Sequence, residues 1–126
     1  MSLRTPLAQV RGLGSAGQGA HHWWMQRITA MTLIPLFVWF VGAMVATSTA
    51  SHAEAVEFIR SPIAAGALLV LVAAIFYHAA LGLQVVIEDY VSRERTQMGA
   101  IVVMRFVMIL LAAISVVAVF RVAVGG

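Results

Sequence analysis

The fold is decided by residues 75–90, which read IFYHAALGLQVVIEDY. At about 100° per residue, one face of a helix would carry four of them, spaced four, three and four apart: His78, Gly82, Val85 and Asp89. Tyr90 closes the stretch, about a third of a turn away from Asp89. An ionisable ring is costly in hydrocarbon, so a histidine inside a membrane span marks a candidate functional site.

Composition indicates that the stretch does lie in a membrane. Of 126 residues, 62% are hydrophobic and only 10% are charged, with a mean hydropathy of +0.97. A soluble domain of this size could not cover so many apolar side chains. The absence of cysteine excludes disulfides, thiolate metal sites and cysteine nucleophiles. The basic residues are all arginines, and they are scattered rather than massed as nucleic-acid binding requires.

Three apolar runs predict an all-α membrane protein with three spans, at residues 28–46, 62–87 and 100–124. Ser61-Pro62 is a good start signal for the second helix, because serine caps a helix and proline suits its first position. This helix can continue to about Tyr90, roughly 43 Å, so its last turn should protrude from the hydrocarbon. Arg105 and Arg121, near the ends of the third run, can extend to an interface.

The remaining segments are predicted to lie outside the spans of this single membrane-anchor domain, residues 1–126. Residues 1–26 contain closely spaced glycines and are predicted to form an extramembrane arm too flexible for a stable helix. Residues 47–60 and 92–99 are predicted to be polar loops. With Arg27, the arm carries three arginines and the second loop two, whereas the first loop has one arginine against two glutamates.

This charge distribution predicts a cytoplasmic N-terminus and a cytoplasmic second loop. Asp89 and Tyr90 would then lie at the cytoplasmic surface, with His78 about 18 Å deeper, near mid-bilayer. His78 has two interpretations, a hydrogen bond to a neighbouring helix or ligation of a metal. Gly82 could leave space for a flat macrocycle or allow close helix packing. The other candidate residues also have purely structural interpretations. Tyr90 could be an aromatic residue at the membrane interface, Asp89 a solvated residue at a helix end, and Arg27 an anchor to lipid headgroups.

Two motifs and the three helices carry a resemblance over nearly the whole chain. The motifs are GAHHWWMQR at residues 19–27 and HAALGLQVVIEDY at residues 78–90. Together they resemble the D-type hydrophobic membrane anchor subunit of bacterial succinate dehydrogenase (respiratory complex II), most closely its alphaproteobacterial and mitochondrial-like members. The resemblance implies that His78 is an axial ligand of a haem b and that Tyr90, helped by Asp89, binds ubiquinone. It also implies that Arg27 lies near the haem propionates and the quinone pocket.

The chain should need partners, because a six-coordinate haem requires two axial ligands and only His78 is predicted at membrane depth. Small-residue helix faces are likewise expected to pack against further helices. The resemblance implies a cytochrome b556 C-type subunit, with iron–sulfur and flavoprotein subunits docked on the cytoplasmic face of the bacterial inner membrane. The chain is then an anchor without catalytic residues of its own.

Two alternatives stay open at this point. One is the anchor of a fumarate reductase, which works in the reverse direction. The other is a small transporter or helper protein in which His78 is a proton-relay or packing residue, and a haem spectrum of the purified complex separates this alternative from the anchor.

Overall fold

The computed structural model describes residues 6–10 and 16–125. Its helices are α1 (Pro6–Val10), α2 (Ala16–Thr47), α3 (His52–Arg60), α4 (Pro62–Tyr90) and α5 (Glu94–Val124), and this part of the chain contains no strand. Within the described residues, three stretches are long and apolar enough to cross a membrane: Gly19–Thr47, Pro62–Tyr90 and Glu94–Val124. The predicted fold class, an all-α membrane protein with three spans, is confirmed.

Helix α4 is the central element, because it packs against α2 and against α5. Few side chains are buried by this packing: Ala64, Leu71 and Leu81 on α4, and Thr29 on α2. Large apolar side chains stay exposed along the spans, as Ile34 (66%) and Ile109 (69%) do. A three-helix layer of this kind has most of its apolar surface available for lipid or for further helices.

The ends of α4 agree with the prediction. The Ser61 hydroxyl accepts a hydrogen bond from the Ala64 backbone N–H at 3.3 Å, and Pro62 occupies the first turn, where a missing N–H costs nothing. The helix ends at Tyr90, and the N–H of the next residue still reaches the Ile87 carbonyl at 2.9 Å. The 29-residue helix keeps His78 and Tyr90 on one continuous rod.

The prediction that residues 1–26 form an arm without stable helix was wrong for the described part of that segment. Helix α2 begins at Ala16 and includes Gly17 and Gly19. Each glycine costs about 1 kcal/mol relative to alanine, but adding a turn to an existing helix needs no new nucleus. The long apolar run therefore propagates its helix backwards through the glycines. Residues 1–5 and 11–15, with Arg4, Arg11 and two further glycines of the predicted arm, lie outside the described residues.

The first loop was also predicted incorrectly, because it contains helix α3. Ser51 and Glu54 form a reciprocal cap: the Ser51 N–H donates to Glu54 Oε2 at 2.7 Å, and the Glu54 N–H donates to Ser51 Oγ at 3.3 Å. The hydrogen bonds from the Ser51 backbone N–H and from its hydroxyl lower the pKa of the Glu54 carboxyl. Phe58 of this helix stacks on Trp39 of α2, with ring centroids 6.4 Å apart.

The second loop is shorter than predicted. Helix α5 begins at Glu94 rather than at residue 100, so only residues 91–93 connect it to α4. Several polar residues of the predicted loop, such as Glu94, Arg95 and Gln97, are good helix formers. A membrane-spanning helix can also continue beyond the hydrocarbon core. Gln97 ties the two helices together, because its Nε2 donates to the Glu88 carbonyl at 3.0 Å.

Candidate functional site

The centre of the candidate site is a hydrogen bond between two membrane helices. His78 Nδ1 on α4 lies 2.9 Å from Thr29 Oγ1 on α2. Thr29 is 8% exposed and His78 is half-buried. The only hydrogen bond of the His78 side chain among the described residues is this one, so Nε2, on the other side of the ring, has no partner there. Of the two interpretations of His78, a bond to a neighbouring helix therefore accounts for one ring nitrogen and leaves the second available.

The same helix interface contains further polar atoms. A Cβ added at Gly82 would meet Gln26 Nε2 at 3.8 Å, an ordinary contact distance, so Gly82 faces α2 as His78 does. Gln26 Oε1 and His22 Nε2 are buried and have no hydrogen-bond partner in the described part of the chain. Buried polar groups are nearly always paired in native structures. This face of α2 is therefore suited to a polar ligand or partner group beyond those residues.

The pairing of Thr29 with His78 and of Gln26 with Gly82 fixes the register of α2 against α4. The two helices run antiparallel, since residue numbers fall on α2 as they rise on α4. At 1.5 Å per residue, Tyr90 lies about 18 Å along α4 from His78. Helix α4 thus carries the imidazole near its middle and the Asp89 carboxyl and Tyr90 phenol at its end.

Tyr90 and Asp89 end helix α4 and face outward. Tyr90 is 84% exposed, and its hydroxyl makes no hydrogen bond with the described residues. Asp89 is also exposed. The structure therefore places both side chains on the exposed surface at the end of the helix, and their predicted role in binding a quinone stays a prediction.

Arg27 lies close to the level of His78 rather than to that of Tyr90. Its guanidinium lies over the Trp23 ring, with Cζ 4.9 Å from the ring centroid. The register of α2 against α4 places Arg27 about 14 Å along the axis from Tyr90. Within this chain, the structure therefore brings Arg27 near the depth of the imidazole and does not bring it to the terminal phenol.

The other face of α4 carries a polar network that the sequence did not predict. Arg105 Nη2 donates to Gln84 Oε1 at 2.7 Å, and Gln84 Nε2 donates to Glu88 Oε1 at 2.8 Å. Arg105 therefore bonds to a helix neighbour instead of only reaching for an interface. Gln84 and Arg105 also form the polar end of a cavity of about 500 Å³ between α4 and α5. None of the predicted site residues lines this cavity.

Thr29 is the site residue that sequence reasoning missed. A threonine in an apolar helix commonly bonds back to the carbonyl one turn earlier, so its presence carries no functional signal by itself. In the described part of the chain, no three histidine, aspartate or glutamate side chains lie close enough to hold a metal ion on their own. Any metal held by His78 must therefore take its remaining ligands from elsewhere.

These features define a multi-pass α-helical membrane protein with an imidazole between two of its spans. The family model described as "Succinate dehydrogenase/Fumarate reductase transmembrane subunit" matches residues 1–120, and the chain belongs to this family. The predicted resemblance to succinate dehydrogenase anchors is thereby confirmed.

Individual relatives agree with the family match. The succinate dehydrogenase hydrophobic membrane anchor subunit of Rickettsia bellii is 35% identical over 117 residues, covering 93% of this chain and 94% of the relative. The subunit of the same name in Rickettsia felis is 35% identical over 102 residues, covering 81% and 85%. The succinate dehydrogenase membrane anchor subunit of Reclinomonas americana is 26% identical over 94 residues, covering 72% and 78%.

Proposed function

We propose that this chain is the membrane anchor of a succinate:ubiquinone oxidoreductase in the bacterial inner membrane. Two findings support this function. The family model matches residues 1–120, and the Rickettsia bellii relative, which is named as a succinate dehydrogenase anchor, matches over almost its whole length. In this proposal it holds the flavoprotein and iron–sulfur subunits on the cytoplasmic face, where the N-terminus and the α4–α5 connection lie. Arg93 in that connection and Arg95 in the first turn of α5 agree with this orientation.

We further propose that His78 supplies one axial ligand to a haem b. The observation that carries this proposal is that the two ring nitrogens differ in their hydrogen bonding. Nδ1 is bonded to Thr29, whereas Nε2 has no partner among the described residues. Imidazole ligates iron through one nitrogen while the other makes a hydrogen bond that orients the ring, so the donor chemistry fits. Gly82, one turn along the same face, carries no side chain to crowd the imidazole.

The partner must supply the second axial ligand, since the described histidines include no second one at the level of His78. In this proposal the partner is a cytochrome b556 C-type subunit that packs on the exposed apolar surface. The haem would supply one-electron transfer when bound. Arg27, near the depth of His78, is suited to offset the charge of the propionates, because guanidinium pairs well with carboxylates.

Tyr90 and Asp89 form this chain's share of the ubiquinone site. The exposed phenol can donate a hydrogen bond to a carbonyl oxygen of the quinone ring and hold it at the end of α4. Reduction of a quinone takes two protons as well as two electrons, and the exposed carboxylate of Asp89 is placed to pass protons from water. Arg27 contributes to this pocket only if partner residues bridge the axial distance to Tyr90.

The family description also includes fumarate reductase, so an anchor of an enzyme working in that direction is the second candidate. The relatives named above are succinate dehydrogenase subunits, which favours the first. The transporter or helper alternative has no support from the family match.

Purification in mild detergent tests the proposal. A tagged copy of this chain should bring down a flavoprotein, an iron–sulfur protein and a second small membrane subunit, together with a b-type haem spectrum and succinate–ubiquinone reductase activity. A complex that reduces fumarate with a quinol but does not oxidise succinate would favour the second candidate. Recovery of the chain without flavoprotein and without haem, from membranes that retain succinate dehydrogenase activity, would contradict both.

A further inference from the structure

Three possible hydrogen-bond partners surround the Thr29 hydroxyl. Its Oγ1 lies 2.7 Å from the Met25 carbonyl oxygen, 3.1 Å from the Gln26 carbonyl oxygen and 2.9 Å from His78 Nδ1. A hydroxyl has one hydrogen to donate, and a carbonyl oxygen can only accept. The imidazole is the one neighbour that can also donate.

One proton arrangement satisfies both the imidazole and the nearer carbonyl. The Thr29 hydroxyl donates to the Met25 carbonyl, the shortest of the three contacts, and accepts from a protonated Nδ1. In the opposite arrangement, the Thr29 hydroxyl would donate its hydrogen to Nδ1. Neither the Met25 nor the Gln26 carbonyl would then receive a hydrogen bond from this hydroxyl. This arrangement would also place the ring proton on Nε2, where no described residue accepts it, and an unpaired donor in an apolar span is costly.

We propose that Thr29 is the positioning residue for His78: its hydroxyl accepts the hydrogen bond from Nδ1–H and thereby leaves the Nε2 lone pair free to bind iron. This inference rests on the proposed function, in which His78 is an axial ligand. Thr29 is well placed for the task, because its burial, its β-branched side chain and its own bond to Met25 limit the positions of the oxygen.

The hydrogen bond has an electronic consequence for the ligand. An imidazole that donates from Nδ1 is more basic at Nε2, so it stabilises the ferric state relative to the ferrous state. Loss of the bond should therefore raise the midpoint potential of the haem. It should also free the ring to rotate, which changes the electron paramagnetic resonance (EPR) signal of the low-spin ferric haem.

The test compares four variants in the assembled complex: Thr29→Val, Thr29→Ser, Thr32→Val and His78→Ala. Thr29→Val keeps the shape of the side chain and removes the hydroxyl, whereas Thr29→Ser keeps the hydroxyl. Thr32→Val is the matched control, because the only hydrogen bond of its hydroxyl with the described residues goes to the Ile28 carbonyl, at 2.9 Å. The readouts are the potentiometric midpoint of the haem and its EPR g values, neither of which depends on turnover.

We expect Thr29→Val to shift the ferric–ferrous equilibrium roughly two- to tenfold toward ferrous haem, about 20–60 mV at 59 mV per decade. Thr29→Ser and Thr32→Val should stay near the wild-type potential. If Thr29→Val fails to assemble, Thr29→Cys replaces it, since a thiol is close in size but a weak acceptor. The cysteine variant should then shift the potential in the same direction.

The outcomes separate this inference from the proposed function. If Thr29→Val and Thr29→Cys keep the wild-type potential and g values while His78→Ala changes the spectrum, the role of Thr29 is refuted and the axial ligand stands. An equal shift in Thr29→Ser and Thr29→Val would also refute it, because the hydroxyl would not be responsible. If His78→Ala leaves the haem spectrum unchanged, the proposed function of His78 fails, and the inference fails with it.

Discussion

Tyr90→Phe removes one hydroxyl from the proposed quinone site and changes little else. The side chain is 84% exposed, and its hydroxyl has no partner among the described residues, so the substitution breaks no bond within that part of the chain. The expected loss is the net worth of one hydrogen bond to a quinone oxygen, about 0.5–1.5 kcal/mol. That loss corresponds to a roughly two- to tenfold decrease in quinone-linked turnover.

The assay measures two activities in the same membranes. Succinate–ubiquinone reductase activity should fall, whereas succinate oxidation by an artificial acceptor that takes electrons before the quinone should be unchanged. Tyr77→Phe is the matched control, because Tyr77 lies on the same helix but lines the cavity between α4 and α5. Equal losses in both assays would indicate failed assembly, and undiminished quinone reduction with full haem content would refute the role of Tyr90.

Three further substitutions test other parts of the account. Gly82→Leu should lower haem occupancy while the helix still inserts. Gly66→Leu on the same helix, where an added Cβ meets nothing within 4 Å, is the control and should retain haem. Equal haem content in both variants would show that Gly82 does not provide space for the haem. Ser51→Ala should destabilise α3 by about 1 kcal/mol, seen as faster amide exchange at residues 52–60, with no change if the cap is unimportant. The pKa of Glu54 is lower in the folded protein, so the stabilisation that its carboxylate gives to α3 should be fully present above the ordinary pKa of glutamate. It should be lost as the pH falls through the folded pKa. Glu54→Gln should remove this pH-dependent contribution to the protection of α3 amides from exchange.

The spans were predictable from the sequence because they depend on hydrophobicity and length, which are local properties. Ser61-Pro62 also located the start of α4, since both residues act on the adjacent backbone. The N-terminal end of α2 was not predictable from the same signals. Glycine content suggested flexibility, but the energy of extending an existing helix outweighed it.

Helix α3 had a signal in the sequence that was overlooked. Ser51 and Glu54 have the spacing of a capping box, which marks a helix start even in a polar segment. The hydrogen bond between Thr29 and His78 had no comparable signal, because the residues are 49 positions apart and their pairing depends on helix register. The network of Arg105 with Gln84 depends on helix packing in the same way.

The most direct test of the central claim is the EPR spectrum of the haem in a purified complex that carries His78→Ala. Loss of the imidazole should abolish or alter the low-spin signal, because one of the two axial bonds is removed. His52→Ala, on the exposed surface of α3, is the control and should keep the wild-type spectrum. An unchanged low-spin spectrum in His78→Ala, with full haem content, would contradict the assignment of His78 as an axial ligand.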